Sequence, residues 1–168
     1  MRVCRFQHQG KTQLGFYHED GVVPYQAAAQ AAGQKAGPAA DESLLALLPG
    51  GAEFATAQKV AAYVDENRAK LPAGAVIALG DVKLLAPLPS PQKILLLAGN
   101  YADHIREGGG AAAERQETFP YVFMKPLTTL TNPGDPIKIP AVSPDHIDWE
   151  LELGVVIGKR AKNVAEKD

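Results

Sequence analysis

Short apolar runs interrupted by turn-forming residues dominate the first 25 positions. Phe6, Leu14 and Phe16 each lie in such a run, and short runs bounded by turn chemistry are typical of β-strands. Asp20-Gly21 lies between two apolar runs, and this dipeptide favours a tight hairpin turn. The pattern therefore predicts a small β-rich region at the start of the chain.

The composition then becomes alanine-rich, and the pattern changes to a helical one. The leucine cluster Leu44–Leu48 is expected to form a short helix, capped by Asp41 and ended by Pro49. Residues 54–68 carry apolar side chains at helical spacing with no helix breaker, which predicts an amphipathic helix. Since this half of the sequence holds no cluster of convergent polar groups, we favour a structural or dimer-forming role for it over a catalytic one.

A proline-rich stretch, 86–91, separates this region from the rest of the chain. Its three prolines fix the backbone in an extended, semi-rigid form, so the predicted domains are 1–86 and 87–168. Further strands are expected over 93–98, which is apolar enough to be buried, and then over 121–124 and 149–157. Together these elements predict an α+β fold that is mainly β.

Composition limits the classes of function. The 168 residues carry 17 Lys and Arg against 19 Asp and Glu, a net charge of −2, which argues against a general nucleic-acid or membrane-surface binder. The longest apolar run, 94–98, is far too short to cross a bilayer. The single cysteine, Cys4, cannot form an internal disulfide and is expected to be a half-buried strand thiol, so the cytoplasm is the expected compartment.

Two carboxylates stand out in the last predicted strand. On a strand, Glu150 and Glu152 project to one side while Trp149 and Leu151 project to the other. Carboxylates on one face repel each other unless water or a cation lies between them, and hard ions such as Mg²⁺ and Mn²⁺ prefer oxygen ligands. A half-exposed strand with solvated glutamates is the simpler alternative.

A second candidate group follows the strand over 93–98. If the chain becomes helical there, His104 and Glu107 share a face because they are three residues apart. A carboxylate beside an imidazole orients it, as a general base acting on water requires. The alternative is a solvated His104 on a helix whose surface pair is Asp103 with Arg106.

A third candidate is Lys125, which Pro126 keeps extended at the end of the predicted strand over 121–124. Its ammonium group could meet an anionic substrate, or could simply reach water. The sequence contains no glycine-rich phosphate loop and no nucleophile elbow.

Four motifs in series resemble the fumarylacetoacetate hydrolase family, in its small bacterial form. They are Asn100-Tyr101-Ala102-Asp103-His104 with Glu107, then Phe123-Met124-Lys125-Pro126, then Pro133-Gly134-Asp135-Pro136-Ile137, then Asp148–Lys159. The similarity spans about Lys93 to Val164, and Met1–Val23 also resembles the small N-terminal β domain of many bacterial members. The resemblance of the four motifs implies a catalytic domain built as a mixed β-roll, of which this chain would contain the first part.

The resemblance also implies roles for the candidate residues. Glu150 and Glu152 match two metal ligands, so Mg²⁺ or Mn²⁺ is the expected cofactor. The family's third ligand lies further downstream, and we therefore expect a chain truncated within the catalytic domain. His104 and Glu107 match a pair that activates water, beneath a lid formed by the segment up to residue 117.

For the intact protein, the activity implied is hydrolysis of a carbon–carbon bond in a 2,4-dioxo acid, such as an acylpyruvate, with Tyr101 and Lys125 at the substrate. A 2-oxo acid decarboxylase or isomerase using the same site is the first alternative. The second is that the chain is catalytically inert and acts as a dimerising module. The expected partners are a 2-oxo acid substrate and a second copy in a homodimer.

Overall fold

The computed structural model describes residues 1–37, 44–111, 121–165 and 167. Of the described residues, 26% are helical and 21% are in strands, which confirms the α+β class. The chain divides into two units, the described residues of Met1–Pro89 with those of Asn132–Asp168, and the described residues of Ser90–Thr131. The domain boundary between residues 86 and 87 stays a prediction.

An antiparallel sheet of four strands forms the centre of the first unit. Its order is β3-β2-β1-β4, and the strands are β1 (Val3–His8), β2 (Lys11–His18), β3 (Gly21–Pro24) and β4 (Lys83–Leu85). Between β1 and β2, Gln9 and Gly10 have φ of 49° and 77°, as a type I′ hairpin turn requires. The hairpin predicted at Asp20-Gly21 is confirmed, since His18 pairs with Gly21.

The helices of this unit complete its core. Those with buried side chains are α1 (Tyr25–Ala31), a 3₁₀ helix (Leu44–Leu47) and α2 (Phe54–Asn67), so the predicted amphipathic helix is confirmed and the leucine cluster is 3₁₀-helical. Two further 3₁₀ helices, Arg68–Lys70 and Leu79–Asp81, have no buried residues. The expected cap, Asp41, lies outside the described residues. Val60 and Val64, one helical turn apart on α2, are fully buried with Leu47 and share a core cluster with side chains of β2 and β3. No described helix has the length and apolar character needed to cross a membrane.

The predicted turn at 132–135 is confirmed, and it docks on β4. Asn132 Oδ1 accepts a hydrogen bond from the Ala86 N–H at 2.9 Å, and Lys83 Nζ lies 2.6 Å from Asp135 Oδ1. Asn132 Nδ2 also donates to Asp135 Oδ2 at 2.8 Å. Gly134 has φ of 76°, which glycine adopts without the steric cost of a side chain. These contacts fix the turn against β4.

The ion pair of this turn makes stability depend on pH. Lys83 and Asn132 lower the pKa of Asp135 to about 2, whereas an unfolded aspartate titrates at about 3.9. Because the folded pKa is the lower one, this stabilisation is complete above about pH 4 and is lost as the pH falls through 2. We expect the urea midpoint, followed by circular dichroism, to fall further between pH 4 and pH 2 in the wild type than in Asp135→Asn. Equal falls would contradict this assignment.

The described residues of the second unit form a two-stranded sheet, one α-helix and one 3₁₀ helix. β5 (Ile94–Ala98) pairs antiparallel with β6 (Tyr121–Lys125), and the two helices are α3 (Ala102–Glu107) and the 3₁₀ helix Leu127–Thr129. Both strands agree with prediction, but the expected burial of the first is wrong. Leu95 and Leu97 are 57% and 50% exposed, because a sheet of two strands offers little surface to bury them against.

The strand predicted over 149–157 is also wrong. Residues 146–158 run without helix, strand, turn or bend, and no strand of the described ranges pairs with them. Alternation of apolar and polar residues does not by itself make a strand, since a neighbour must satisfy its backbone groups. The sheets formed by the described residues have four and two strands, so the mixed β-roll implied by the resemblance is not seen in this part of the chain.

Candidate catalytic and metal-binding residues

Helix α3 follows β5 closely and carries the candidate catalytic pair. Gly99 turns the chain between them with φ of 64°, in the left-handed region that favours glycine. After the helix, the Gly110 N–H donates to the Ile105 carbonyl at 2.9 Å. A Cβ at Gly110 would lie 2.9 Å from Ile105 Cγ2, so a larger residue there would require Ile105 to shift. Glycines on both sides thus define where the helix begins and ends.

His104 and Glu107 share one face of α3, as their spacing predicts. His104 Nδ1 lies 3.7 Å from Glu107 Oε2, with side chains 71% and 79% exposed. This distance is longer than a hydrogen bond, but contacts between catalytic groups are often long before substrate binds. The arrangement allows Glu107 to orient the imidazole while Nε2 is available to a reactant.

The surface pair considered as an alternative is present on the same helix. Arg106 and Asp103 form an ion pair through Nη1 and Oδ1. Asp103 lies in the first turn and Arg106 in the last, where each charge complements the helix dipole. These two residues therefore stabilise the helix, and they leave His104 and Glu107 as a separate pair.

Tyr101 and Lys125 belong to the same unit as this pair. The Tyr101 carbonyl accepts the first hydrogen bond of α3 from Ile105 at 3.1 Å, and its side chain is 45% exposed. Lys125 ends β6 opposite Ile94 and is exposed. Of the expected lid, residues 112–117 lie outside the described residues.

Glu150 and Glu152 lie at alternate positions of residues 146–158, and both are exposed. Within the described ranges neither carboxylate takes part in an ion pair. Their oxygens are the ligand type that a hard divalent cation prefers. The described residues include no group of three His, Cys, Asp or Glu side chains able to hold a metal. The two carboxylates thus fit Mg²⁺ or Mn²⁺ in ligand type, with the remaining oxygens to come from water or from further ligands.

The contact of Lys83 with Asp135 does not follow from the local sequence pattern. This ion pair bridges residues far apart in sequence and holds the turn at 132–135 against β4. The available signal was the presence of Asn and Asp at the two ends of a Pro-Gly turn, since such side chains bond neighbouring backbone groups.

Cys4 is half-buried in β1, as expected for a structural thiol. Burial raises its pKa to about 12, so the reactive thiolate is scarce at neutral pH. We expect Ellman's reagent at pH 8 to modify the folded chain at least about tenfold more slowly than the urea-unfolded chain. The rate of the reagent with glutathione, measured with and without urea, is the control for the effect of urea on the reagent itself. Equal rates in the folded and unfolded chain would show that the thiol is accessible and reactive.

Comparison with known proteins adds to these observations. Residues 93–168 match the family model described as fumarylacetoacetate (FAA) hydrolase, C-terminal, and all six candidate residues lie in this range. Oxaloacetate tautomerase fahd2, mitochondrial, of Xenopus laevis is 38% identical over 93 residues, 55% of this chain and 28% of that protein. An uncharacterized protein of Pyrococcus abyssi is 49% identical over 78 residues, 46% of this chain and 32% of that protein. The chain thus spans about a third or less of these relatives.

Proposed function

Because residues 93–168 belong to the fumarylacetoacetate hydrolase family, we propose that the chain contributes catalytic residues to a divalent-metal-dependent hydrolase that cleaves a carbon–carbon bond of a 2,4-dioxo acid. The observation that carries this proposal is the 3.7 Å approach of His104 to Glu107 on α3. The pair lies inside the matched range and has the composition of a water-activating site.

His104 acts as the general base in this reaction. Glu107, on the Nδ1 side of the imidazole, orients the ring so that Nε2 takes a proton from a water molecule. The resulting hydroxide attacks the distal carbonyl carbon of the substrate. The carbon–carbon bond then breaks, its electron pair passes to the 2-oxo acid fragment as an enolate, and the proton on His104 returns to that fragment.

Glu150 and Glu152 are the residues of this chain that would hold the divalent cation. When bound, the cation supplies positive charge that stabilises the enolate. The two glutamates supply oxygen ligands whose negative charge attracts the ion. Neither glutamate needs to exchange a proton with the substrate in this role.

Lys125 and Tyr101 supply the substrate contacts. The exposed Lys125 ammonium attracts the carboxylate of the acid, and the Tyr101 hydroxyl can donate a hydrogen bond to one of its oxygens. A homodimer and a reducing compartment such as the cytoplasm complete the proposal. The free thiol of Cys4 supports the reducing compartment, since exported proteins more often carry disulfides.

A second candidate is keto–enol tautomerisation of a 2-oxo acid. It is favoured by the name of the Xenopus relative, oxaloacetate tautomerase fahd2, mitochondrial. In that reaction His104 would take a proton from the carbon beside the carbonyl and return one to the enolate oxygen, with no water consumed. The same residues therefore serve either reaction.

Products distinguish the two reactions. The 168-residue chain with Mn²⁺ is incubated with an acylpyruvate, and pyruvate is measured with lactate dehydrogenase; oxaloacetate is tested in parallel for loss of enol absorbance and for CO₂. We expect metal-dependent pyruvate release from the acylpyruvate. Enol conversion alone would establish the tautomerase, CO₂ release the decarboxylase, and no turnover of either substrate would show that the chain is inert.

A further inference from the structure

The second unit has few contacts of its own to keep it folded. None of its described residues is buried, and its sheet consists of the two strands β5 and β6. A pair of strands without a packed layer is at best marginally stable in water. A helix as short as the six residues of α3 is not stable alone either. The order of this unit therefore needs support from beyond its own contacts.

This unit is an insertion within the first unit. The chain leaves the first unit after Pro89 and returns to it at Asn132. Close to the exit, the Ala86 N–H donates to Asn132 Oδ1 at 2.9 Å, and Arg5 Nη1 donates to the Ala86 carbonyl at 3.4 Å. Both backbone polar groups of Ala86 are thus engaged, one of them by the residue at which the chain returns.

Asp135 holds the Asn132 side chain in this orientation. Its Oδ2 accepts hydrogen bonds from the Asn132 backbone N–H at 3.3 Å and from Nδ2 at 2.8 Å. Its Oδ1 lies 2.6 Å from Nζ of Lys83 on β4. These contacts tie the point of exit to the point of return through five residues, here called the clasp: Arg5, Lys83, Ala86, Asn132 and Asp135.

The clasp shortens the loop that β5 and β6 must close. Ile94 pairs with Lys125, so without the clasp this pairing closes a loop of about 30 residues. With the clasp closed, eight residues lead from Ala86 to Ile94 and seven from Lys125 to Asn132. Because a shorter loop loses less conformational entropy on closing, the closed clasp favours pairing of the two strands by at least about threefold.

We propose that the clasp keeps the second unit folded, so that release of Ala86 by Asn132 opens β5, β6 and α3 together while the first unit stays folded. The first unit has a buried core that its strands and helices share, and it does not need the clasp. Helix α3 begins four residues after β5 ends, so it loses its position when the strand opens. Asn132 is thereby a positioning residue for His104 and Glu107, a consequence that rests on the proposed function, whereas the opening does not.

Hydrogen exchange of the backbone amides, followed residue by residue by NMR, tests this opening. We expect Asn132→Ala to raise the exchange rates of the β5 and β6 amides by at least about threefold. The β2 and β3 amides, which lie in the core of the first unit, should change by less than about twofold. Lys83→Gln should act in the same direction with a smaller effect, because it leaves the hydrogen bond between Asn132 and Ala86 in place.

Asn67→Ala is the matched control. The Asn67 Nδ2 donates to the Tyr63 carbonyl at 3.0 Å within one turn of α2, so the variant removes the same kind of side chain without touching the clasp. We expect it to leave the exchange rates of β5 and β6 unchanged. A rise equal to that of Asn132→Ala would show that any loss of stability in the first unit opens the second, and would overturn the proposal.

Three further results would also overturn it. They are β5 and β6 amides that exchange at unprotected rates in the wild type, exchange unaffected by Asn132→Ala, and an equal rise in both units of that variant, which would mark global destabilisation. The amides report the opening whether or not the chain turns over a substrate. Failure of the proposed function would appear instead as absent turnover in a wild type whose exchange follows the expected pattern.

Discussion

His104→Gln is expected to lower kcat for pyruvate release from an acylpyruvate by about 10²–10⁴-fold, with KM little changed. The amide is similar in size to the imidazole but cannot take up a proton at neutral pH, so the variant loses the general base and keeps the substrate contacts. Steady-state kinetics of the 168-residue chain with Mn²⁺ measures this effect.

Arg106→Gln is the matched control for this experiment. Arg106 lies on the same helix but pairs with Asp103 rather than with His104 or Glu107, so its kcat should stay within about twofold of the wild type. Glu107→Gln should lower kcat less than His104→Gln, because Glu107 acts through the imidazole. Full activity of His104→Gln would remove this histidine from the mechanism.

Leu47→Ala is expected to lower the free energy of unfolding by about 2–5 kcal/mol. Leu47 is fully buried in the core cluster that also contains Val60 and Val64, and the shorter side chain removes apolar contacts and leaves a cavity. Urea unfolding followed by circular dichroism measures the change.

The same 3₁₀ helix provides a control for the core substitution. Leu45, two residues earlier, is 49% exposed, so Leu45→Ala should cost less than about 1 kcal/mol. If the two variants lost equal stability, helix propensity rather than core packing would explain the effect, and the assignment of Leu47 to the core would be wrong.

Elements whose structure depends only on residues close to each other in the sequence were predictable. The hairpin at Asp20-Gly21 needs only the turn chemistry of its own residues, and α2 needs only a breaker-free apolar periodicity. The shared face of His104 and Glu107 likewise follows from their spacing once the segment is helical. The Asn132–Asp135 turn was predicted from Pro-Gly, but its docking on Lys83 depends on residues about 50 positions away, which local patterns do not reveal.

The predictions that were wrong concern contacts between residues far apart in sequence. Residues 149–157 alternate as a strand does, yet pairing depends on a neighbouring strand that their own sequence does not specify. Leu95 and Leu97 were expected to be buried because the run is apolar, although burial requires a second layer. The proposed roles of Glu150 and Glu152 come from the family resemblance, since two exposed carboxylates on an extended segment do not by themselves distinguish a metal site from a solvated surface.

Binding of Mn²⁺ to the 168-residue chain, followed by electron paramagnetic resonance of the free ion, tests most directly whether these carboxylates hold a metal. We expect saturable binding in roughly the millimolar range, as weak oxygen-ligand sites show, and at least about tenfold weaker binding in the Glu150→Gln, Glu152→Gln double variant. The Glu66→Gln, Asp81→Asn double variant, with the same change in charge at two exposed positions elsewhere, should bind like the wild type. No saturable binding, or equal binding in all three chains, would contradict the assignment of Glu150 and Glu152 as metal ligands.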